Sequence, residues 1–391
     1  MTFITEFNNI MWGWVLAVIL LGTGLLYGIT MGFPQVRCFG HIIRSLKSTL
    51  KSDEGSVSGF AALCAAVGGQ VGTGSLVGVA SALAAGGPGA LFWMWITAVF
   101  GMVLSFGEAT LGQVFHEKDK DGNYYGGSPY YMTKGLGNKP LAIAYAVTTI
   151  FAVGVCIAML QNNSITSAVT GVVNISPWIP GIIVTIITAV IVLGGVKRIT
   201  DAASLIVPFM AVGYILITII IIITHLSEVP AMFGTFMTTI IICSCTGFAI
   251  LLTGALESGQ DGVNLVQAAF SSMLGQVGSY FVLLVTFLFC FTTLIADLFY
   301  GEVGVRYLFK GSANGADKAV KVFQVIALIL VTIGAALPLP VLWDLVDFCV
   351  AFLVFFNVYA LLRLRKYVKY VLDDYLMQFN SGKSEPVWDE S

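Results

Sequence analysis

The sequence predicts an all-α integral membrane protein, on three observations. Of 391 residues, 57% are hydrophobic and only 10% charged, with a mean hydropathy of +0.91; soluble domains carry about 25% charged residues. The apolar residues form continuous runs of about 20, the length at which a helix crosses a bilayer. The basic residues, in contrast, are confined to a few short segments between those runs. Strict alternation of apolar and polar residues is missing, which argues against a membrane β-barrel.

Ten runs qualify, at roughly 10–31, 59–84, 89–115, 141–171, 178–195, 202–224, 231–254, 275–300, 320–337 and 341–362. Together they predict one transmembrane domain over 1–369, followed by a polar, poorly ordered tail over 370–391. The segment HIIRSLKSTLK (41–51) sets Ile43, Leu46 and Leu50 beside Arg44, Lys47 and Lys51. That pattern predicts an amphipathic helix on the membrane surface.

All 19 Lys and Arg follow the first, third, fifth, eighth and last runs. Basic loops stay on the cytoplasmic side, so the N-terminus is expected outside and the C-terminus inside the cell membrane. Alternation then holds from the first run to the sixth, and also backward from the C-terminus to the loop LESGQDG. The two halves disagree at 231–254, which would begin and end on the same side. Either that run fails to cross, or one crossing is absent between about 225 and 235.

Several function classes are disfavoured. A net charge of −2 gives no support for a nucleic-acid partner. The seven cysteines are scattered, and Cys243 and Cys245 form no CxxC pair, so neither a zinc site nor a disulfide framework is implied. His41, His116 and His225 fall in loops or at span ends. The start, MTFITEFNNIMWGW, lacks the basic stretch of a cleaved signal peptide. No HExxH, GxSxG or paired His–Asp arrangement lies within the runs, which disfavours an enzyme and calls for no cofactor.

The informative stretch is GGQVGTGSLVGVASALAAGGPGALFWMW (68–95). Glycine is a poor residue for a helix interior, and here it clusters in the middle of a span. Two readings stand. Small residues four apart, such as Gly74 and Gly78, let helices pack closely. Alternatively Gly68, Gly69, Gly72 and Gly74, with polar Gln70, Thr73 and Ser75 among them, mark a helix unwound at mid-membrane. Bare backbone there is tolerated only beside a cavity or ligand. Freed carbonyls can hold a cation, while the N-terminus of the second half-helix can receive a carboxylate. GTGSLVG resembles a phosphate loop in its glycines only, since no soluble strand precedes it and no Lys follows.

Other polar residues divide similarly. Gln161, in the fourth run, either binds a ligand or bonds to a neighbouring helix. Thr292 and Thr293 offer hydroxyls to a hard cation or bond back to their own helix. Glu108, Asp297, Asp344 and Asp347 lie within about two turns of a span end, so interfacial anchoring is expected rather than a proton relay. Trp93 and Trp95 read as an aromatic belt.

In collinear order the chain carries VGTGSLVGVASALAAGGPGALFWMW, GEATLGQVF, GGSPYYMTKGLG, LQNNSI, LGGVKRITDAASLIVPFMAV, DGVNLVQAAF, YGEVGVRYLF and VLWDLVDF. In these it resembles the alanine or glycine:cation symporter family, the sodium:alanine symporters, over most of residues 10–365. The resemblance implies a LeuT-like inverted repeat of helices with an extra N-terminal helix. It also implies sodium-coupled import of a small neutral amino acid by alternating access. The substrate site would draw on Gly72, Thr73, Gly74, Ser75, Gln161 and Asn163. A sodium ion would be held by main-chain oxygens near Gln70 and Val71, with Thr292 and Thr293.

Three departures from the family pattern stand out. Ser75 replaces an Asn, and Thr238 an acidic residue. The family's second broken helix, with its GG interruption and SNEAG-like loop, finds no match between Pro230 and Gly234, so the second repeat is expected to be incomplete. That gap coincides with the missing crossing. It opens an alternative reading, a transport-inactive symporter remnant or a membrane interaction protein. Beyond the amino acid, sodium and the lipid bilayer no partner is implied, and the oligomeric state is unknown.

Overall fold

The computed structural model describes residues 2–40, 42, 59–118, 124–224, 238–311 and 313–381. The expected surface helix at 41–51 and the motif gap at 230–234 both lie outside these residues, apart from Ile42.

The described chain is a bundle of helices. Helix α1 (Thr2–Met31) contains a π turn at Met11–Val15 and is followed by a short α2 (Pro34–Arg37). The third and fourth helices, α3 (Gly59–Gln70) and α4 (Gly74–Gly86), are the two halves of one bent span, and α5 (Gly89–Val114) returns across the bundle. A two-stranded antiparallel ribbon, β1 (Glu117–Lys118) with β2 (Tyr124–Tyr125), joins α5 to α6 (Ser128–Lys134). Then come α7 (Lys139–Thr170), α8 (Trp178–Val192), α9 (Val196–Thr224), α10 (Thr238–Leu252) and α11 (Gly262–Leu274). Three helices close the chain: α12 (Gln276–Leu308), α13 (Ala313–Gly334) and α14 (Leu339–Asn380).

Every predicted run contains a helix, but not every helix spans on its own. Five described helices, α1, α5, α7, α12 and α14, are long and apolar enough to cross a membrane. The α3–α4 and α8–α9 pairs, bent by 45° and 120°, raise the number to seven. The α10 helix is only 15 residues long, about 22 Å at the helical rise, against a hydrocarbon core of about 30 Å. The described part of the run at 231–254 is shorter than a span, and its first seven residues lie outside the described ones.

Two predicted ends move outward. Helix α12 continues to Leu308 and α14 to Asn380, so the boundary expected at 369 falls inside a helix. In α12 the extension is held by ion pairs. Glu302, 4% exposed, accepts from Arg306 Nε at 2.8 Å and from Gln324 Nε2 at 3.1 Å. Arg306 also pairs with Asp317 at 2.9 Å.

Close backbone contact fixes α12 against α7. A Cβ on Gly154 would lie 2.9 Å from the Cα of Gly301, and one on Gly304 3.0 Å from the carbonyl oxygen of Ala146. Small residues permit this approach where both surfaces are apolar. The result is that the polar middle of α7 faces the polar middle of α12.

Helix α14 is tied at three levels. Thr5 Oγ1 donates to Asp344 Oδ2 (2.8 Å), Asn8 Nδ2 to the Asp344 carbonyl (2.9 Å) and Trp12 Nε1 to the Asp347 carbonyl (3.0 Å). Further along, Asn357 donates to Glu108 on α5 and accepts from the Tyr131 hydroxyl on α6. Tyr27 on α1 donates to the Leu361 carbonyl at 2.6 Å. Asp344 and Asp347 are thus near a helix end, as expected. Glu108, within two turns of the end of α5, is bonded to Asn357 of α14.

Candidate functional site

The span at 59–86 is broken where the glycines cluster. Val71 and Gly72 form a bend between the half-helices, with Thr73 at the cap of the second. In an unbroken helix the Thr73 N–H would bond to the carbonyl of Gly69. Here it donates instead to Gln161 Oε1 on α7, at 2.9 Å, and the Thr73 hydroxyl donates to the same oxygen at 2.7 Å. The Gly69 carbonyl thereby loses its usual helical partner.

The glycines behave differently on the two sides of the break. Added Cβ atoms would press Gly68 on Val207 (2.9 Å), Gly69 on the Tyr300 hydroxyl (2.8 Å) and Gly72 on Thr293 Oγ1 (2.5 Å). At Gly74 and Gly78 nothing lies within 4 Å. The close-packing reading therefore fails for the pair that suggested it. The unwound helix is what the fold contains.

Around Thr73 the site is polar and buried. Its Oγ1 lies 3.2 Å from Ser164 Oγ and 3.3 Å from Cys290 Sγ. Thr293 Oγ1 donates to the Gly68 carbonyl at 2.8 Å, bridging α12 to the end of α3. The Gln161 side chain also lies near the Asp297 carboxyl. Asp297 is 3% exposed, and its Oδ2 has no hydrogen-bond partner. Interfacial anchoring was expected for Asp297; the carboxyl instead belongs to the centre of the site.

The remaining predicted residues separate. Ser75 turns to α10: its carbonyl accepts from Thr246 Oγ1 at 2.9 Å, and the Tyr214 hydroxyl meets Thr246 at 2.7 Å. Asn163 donates to the carbonyls of Gly334 (3.0 Å), Ala335 (3.3 Å) and Leu337 (2.8 Å), so its amide caps the end of α13. Thr292 bonds back to its own helix, at 3.0 Å to Phe289 and 3.1 Å to Leu288. Gln70 is exposed and Val71 buried at the end of α3. Trp95 departs from an aromatic belt, since Nε1 donates to Ser244 Oγ at 2.7 Å on α10, whereas Trp93 is exposed. Ser164, Cys290 and Asp297 were not anticipated as site residues.

Two cavities flank the break. One, of about 220 Å³, is lined by Ala65 and Ala66 of α3 with Thr200, Thr292, Ala296 and Tyr300. The other, of about 290 Å³, is lined by Val77 of α4 with Asn163, Ser164, Asp261 and Pro340. Because α3 reaches the first and α4 the second, the Thr73–Gln161 contact lies between them.

A family model for sodium:alanine symporters matches residues 1–235 and 231–390, two stretches that together cover nearly the whole chain. The chain belongs to the sodium:alanine symporter family. It is accordingly a multi-pass membrane protein of a transporter family, not of an enzyme family. The family's members couple amino-acid transport to a cation, with sodium as the named ion.

Among relatives in this symporter family, a putative sodium/proton-dependent alanine carrier of Bacillus subtilis is 32% identical over 462 aligned positions. That alignment covers 99% of this chain and 94% of the relative. A probable sodium/glutamine symporter of the same organism is 30% identical, covering 97% and 91% respectively. A sodium/alanine symporter of Methanococcus maripaludis is 29% identical, covering 87% and 89%. An alignment of 462 positions exceeds the 391 residues of this chain, so the first relative carries residues without a counterpart here. The two family-model stretches meet at 231–235, outside the described residues. None of these comparisons supports reading the chain as a transport-inactive remnant.

Proposed function

We propose that the chain is a secondary symporter that imports a small neutral amino acid, alanine or glycine, together with sodium across the cell membrane by alternating access. The observation that carries this reading is the Thr73–Gln161 contact at the helix break, buried between two cavities. Helix ends that face each other across an unwound segment offer carbonyls to a cation and N–H groups to a carboxylate. A free amino acid is a zwitterion and needs both. The N-terminal end of α4, at Gly74, is open and suits the carboxylate. The LeuT-like inverted repeat, with an N-terminal outside and a C-terminal cytoplasmic end, is part of the same proposal.

Relatives named for alanine and for glutamine both align over most of the chain, so the choice of alanine or glycine rests on the small, closely packed surroundings of Gly72. The site residues of this reading are Gly72, Thr73, Gly74 and Gln161, with sodium near Gln70, Val71 and Thr293. Ser75, Asn163 and Thr292 belong to its supporting frame.

The test is uptake of labelled alanine and glycine into proteoliposomes, with an inward sodium gradient and with choline in its place. Sodium-dependent accumulation is expected. Correctly inserted protein that accumulates neither amino acid would refute the reading and leave a symporter by descent only.

A further inference from the structure

Asp297 presents a problem of charge. It lies well inside α12, 3% exposed, one turn beyond Thr293. The Gln161 side chain lies near its carboxyl, and Oδ2 has no hydrogen-bond partner. Among the described residues no Lys, Arg or His pairs with it. So placed in a bilayer, the group stays a carboxylate only beside a compensating positive charge, and otherwise takes up a proton.

The surroundings offer oxygens and no other cation. The end of α3 carries the negative pole of its helix dipole, and the Gly69 carbonyl there has lost its helical donor to Gln161. Thr293 Oγ1 gives its proton to the Gly68 carbonyl, which leaves the hydroxyl lone pairs free to face a cation. Asp297 follows Ala296, which packs 3.1 Å from a Cβ at Gly69, and stands one turn beyond Thr293, whose Oγ1 lies 2.5 Å from a Cβ at Gly72. Cys290 touches Thr73, and Tyr300 lies against Gly69. The carboxyl is therefore placed beside both edges of the break.

We propose that Asp297 is a ligand of the coupling sodium ion, holding it through Oδ2 together with the Thr293 hydroxyl and the carbonyl end of α3. The idea rests on the symporter reading only for calling the ion the coupling ion. Carboxylate, hydroxyl and carbonyl oxygens are the donors a hard cation prefers. The ion supplies the charge that the protein omits. Gln161 then stands between the two sites: its Oε1 holds Thr73 at the substrate side, and the same side chain neighbours Asp297. Sodium binding and the shape of the amino-acid site are coupled through that single side chain.

The experiment is thermal unfolding of the purified full-length protein in detergent, titrated with sodium chloride against choline chloride, without amino acid. Wild-type protein should gain a saturable rise in Tm with sodium. In Asp297→Asn the half-saturating sodium concentration should rise at least tenfold, while the Tm in choline stays equal or increases. A wild-type sodium response in Asp297→Asn overturns the proposal. In a second titration with alanine added, loss of the alanine shift with the sodium response kept also overturns it, since that would place the substrate ammonium on Asp297. Should Asp297→Asn fail to fold, Asp297→Glu is titrated instead; an unmoved half-saturating concentration counts against the proposal. The readout needs no transport. An Asp297-dependent sodium shift in a protein without uptake would uphold this site and refute the symporter reading.

Discussion

Gln161 Oε1 receives two hydrogen bonds from one residue, the amide of Thr73 at 2.9 Å and its hydroxyl at 2.7 Å. A backbone N–H at mid-membrane has been taken from its helix and given to a side chain on another helix. Gln161→Leu leaves that N–H unsatisfied, at about 1–3 kcal/mol. Gln161→Glu keeps the acceptor. Sodium-driven uptake should be lost in the first variant and partly retained in the second, and a proteoliposome assay of both decides it.

Gly72 and Gly74 should respond in opposite ways to the same methyl group. At Gly72 a Cβ would lie 2.5 Å from Thr293 Oγ1 and 2.8 Å from Gln161 Oε1, whereas at Gly74 nothing is within 4 Å. Gly72→Ala should destabilise by about 1–3 kcal/mol through overpacking and abolish uptake. Gly74→Ala should unfold within a few degrees of wild type. Thermal unfolding of the two proteins side by side is the check.

Asn163 looks like a ligand residue and is bonded like a cap. Its amide meets three carbonyls at the end of α13. Asn163→Ala should lower stability by about 1–3 kcal/mol for the acceptors left bare. KM for the amino acid should change less than twofold in the protein that remains folded. A tenfold rise in KM with unchanged Tm would return Asn163 to the substrate site.

Arg306 and Glu302 form a pair whose loss should be asymmetric. Glu302 is buried and Arg306 only partly so. Arg306→Ala strands a buried carboxylate, which costs about 3–5 kcal/mol, whereas Glu302→Gln removes the charge and keeps an oxygen for Arg306. Comparing the Tm of these two variants distinguishes the pair from an ordinary surface salt bridge, for which both would be near neutral.

The legibility of the sequence varied with the kind of signal. Glycines around Thr73, with polar residues among them, made the break one of two open readings, close helix packing being the other. Gln161 stood out as an amide in an apolar run. Asp297 was misplaced for a definable reason: the charged Glu302 and Arg306 end the apolar run at about 300, but they neutralise one another and the helix runs on to Leu308. A residue judged close to a span end is therefore deep in the fold. Asn163 and Ser75 neighbour Gln161 and Thr73 in sequence but are bonded to other helices, a difference that spacing alone does not encode.

Helix α14, 42 residues long, measures about 63 Å at the helical rise, twice the thickness of the hydrocarbon core. Beyond Asn357 it stays gripped: Leu361, Leu364, Val368 and Leu372 are buried with Tyr27, Leu111 and Tyr131 of α1, α5 and α6. It is thus a rod clamped to its neighbours along most of its length. A movement of α1, α5 or α6 would carry the Asn380 end with it, where a spectroscopic label could read it.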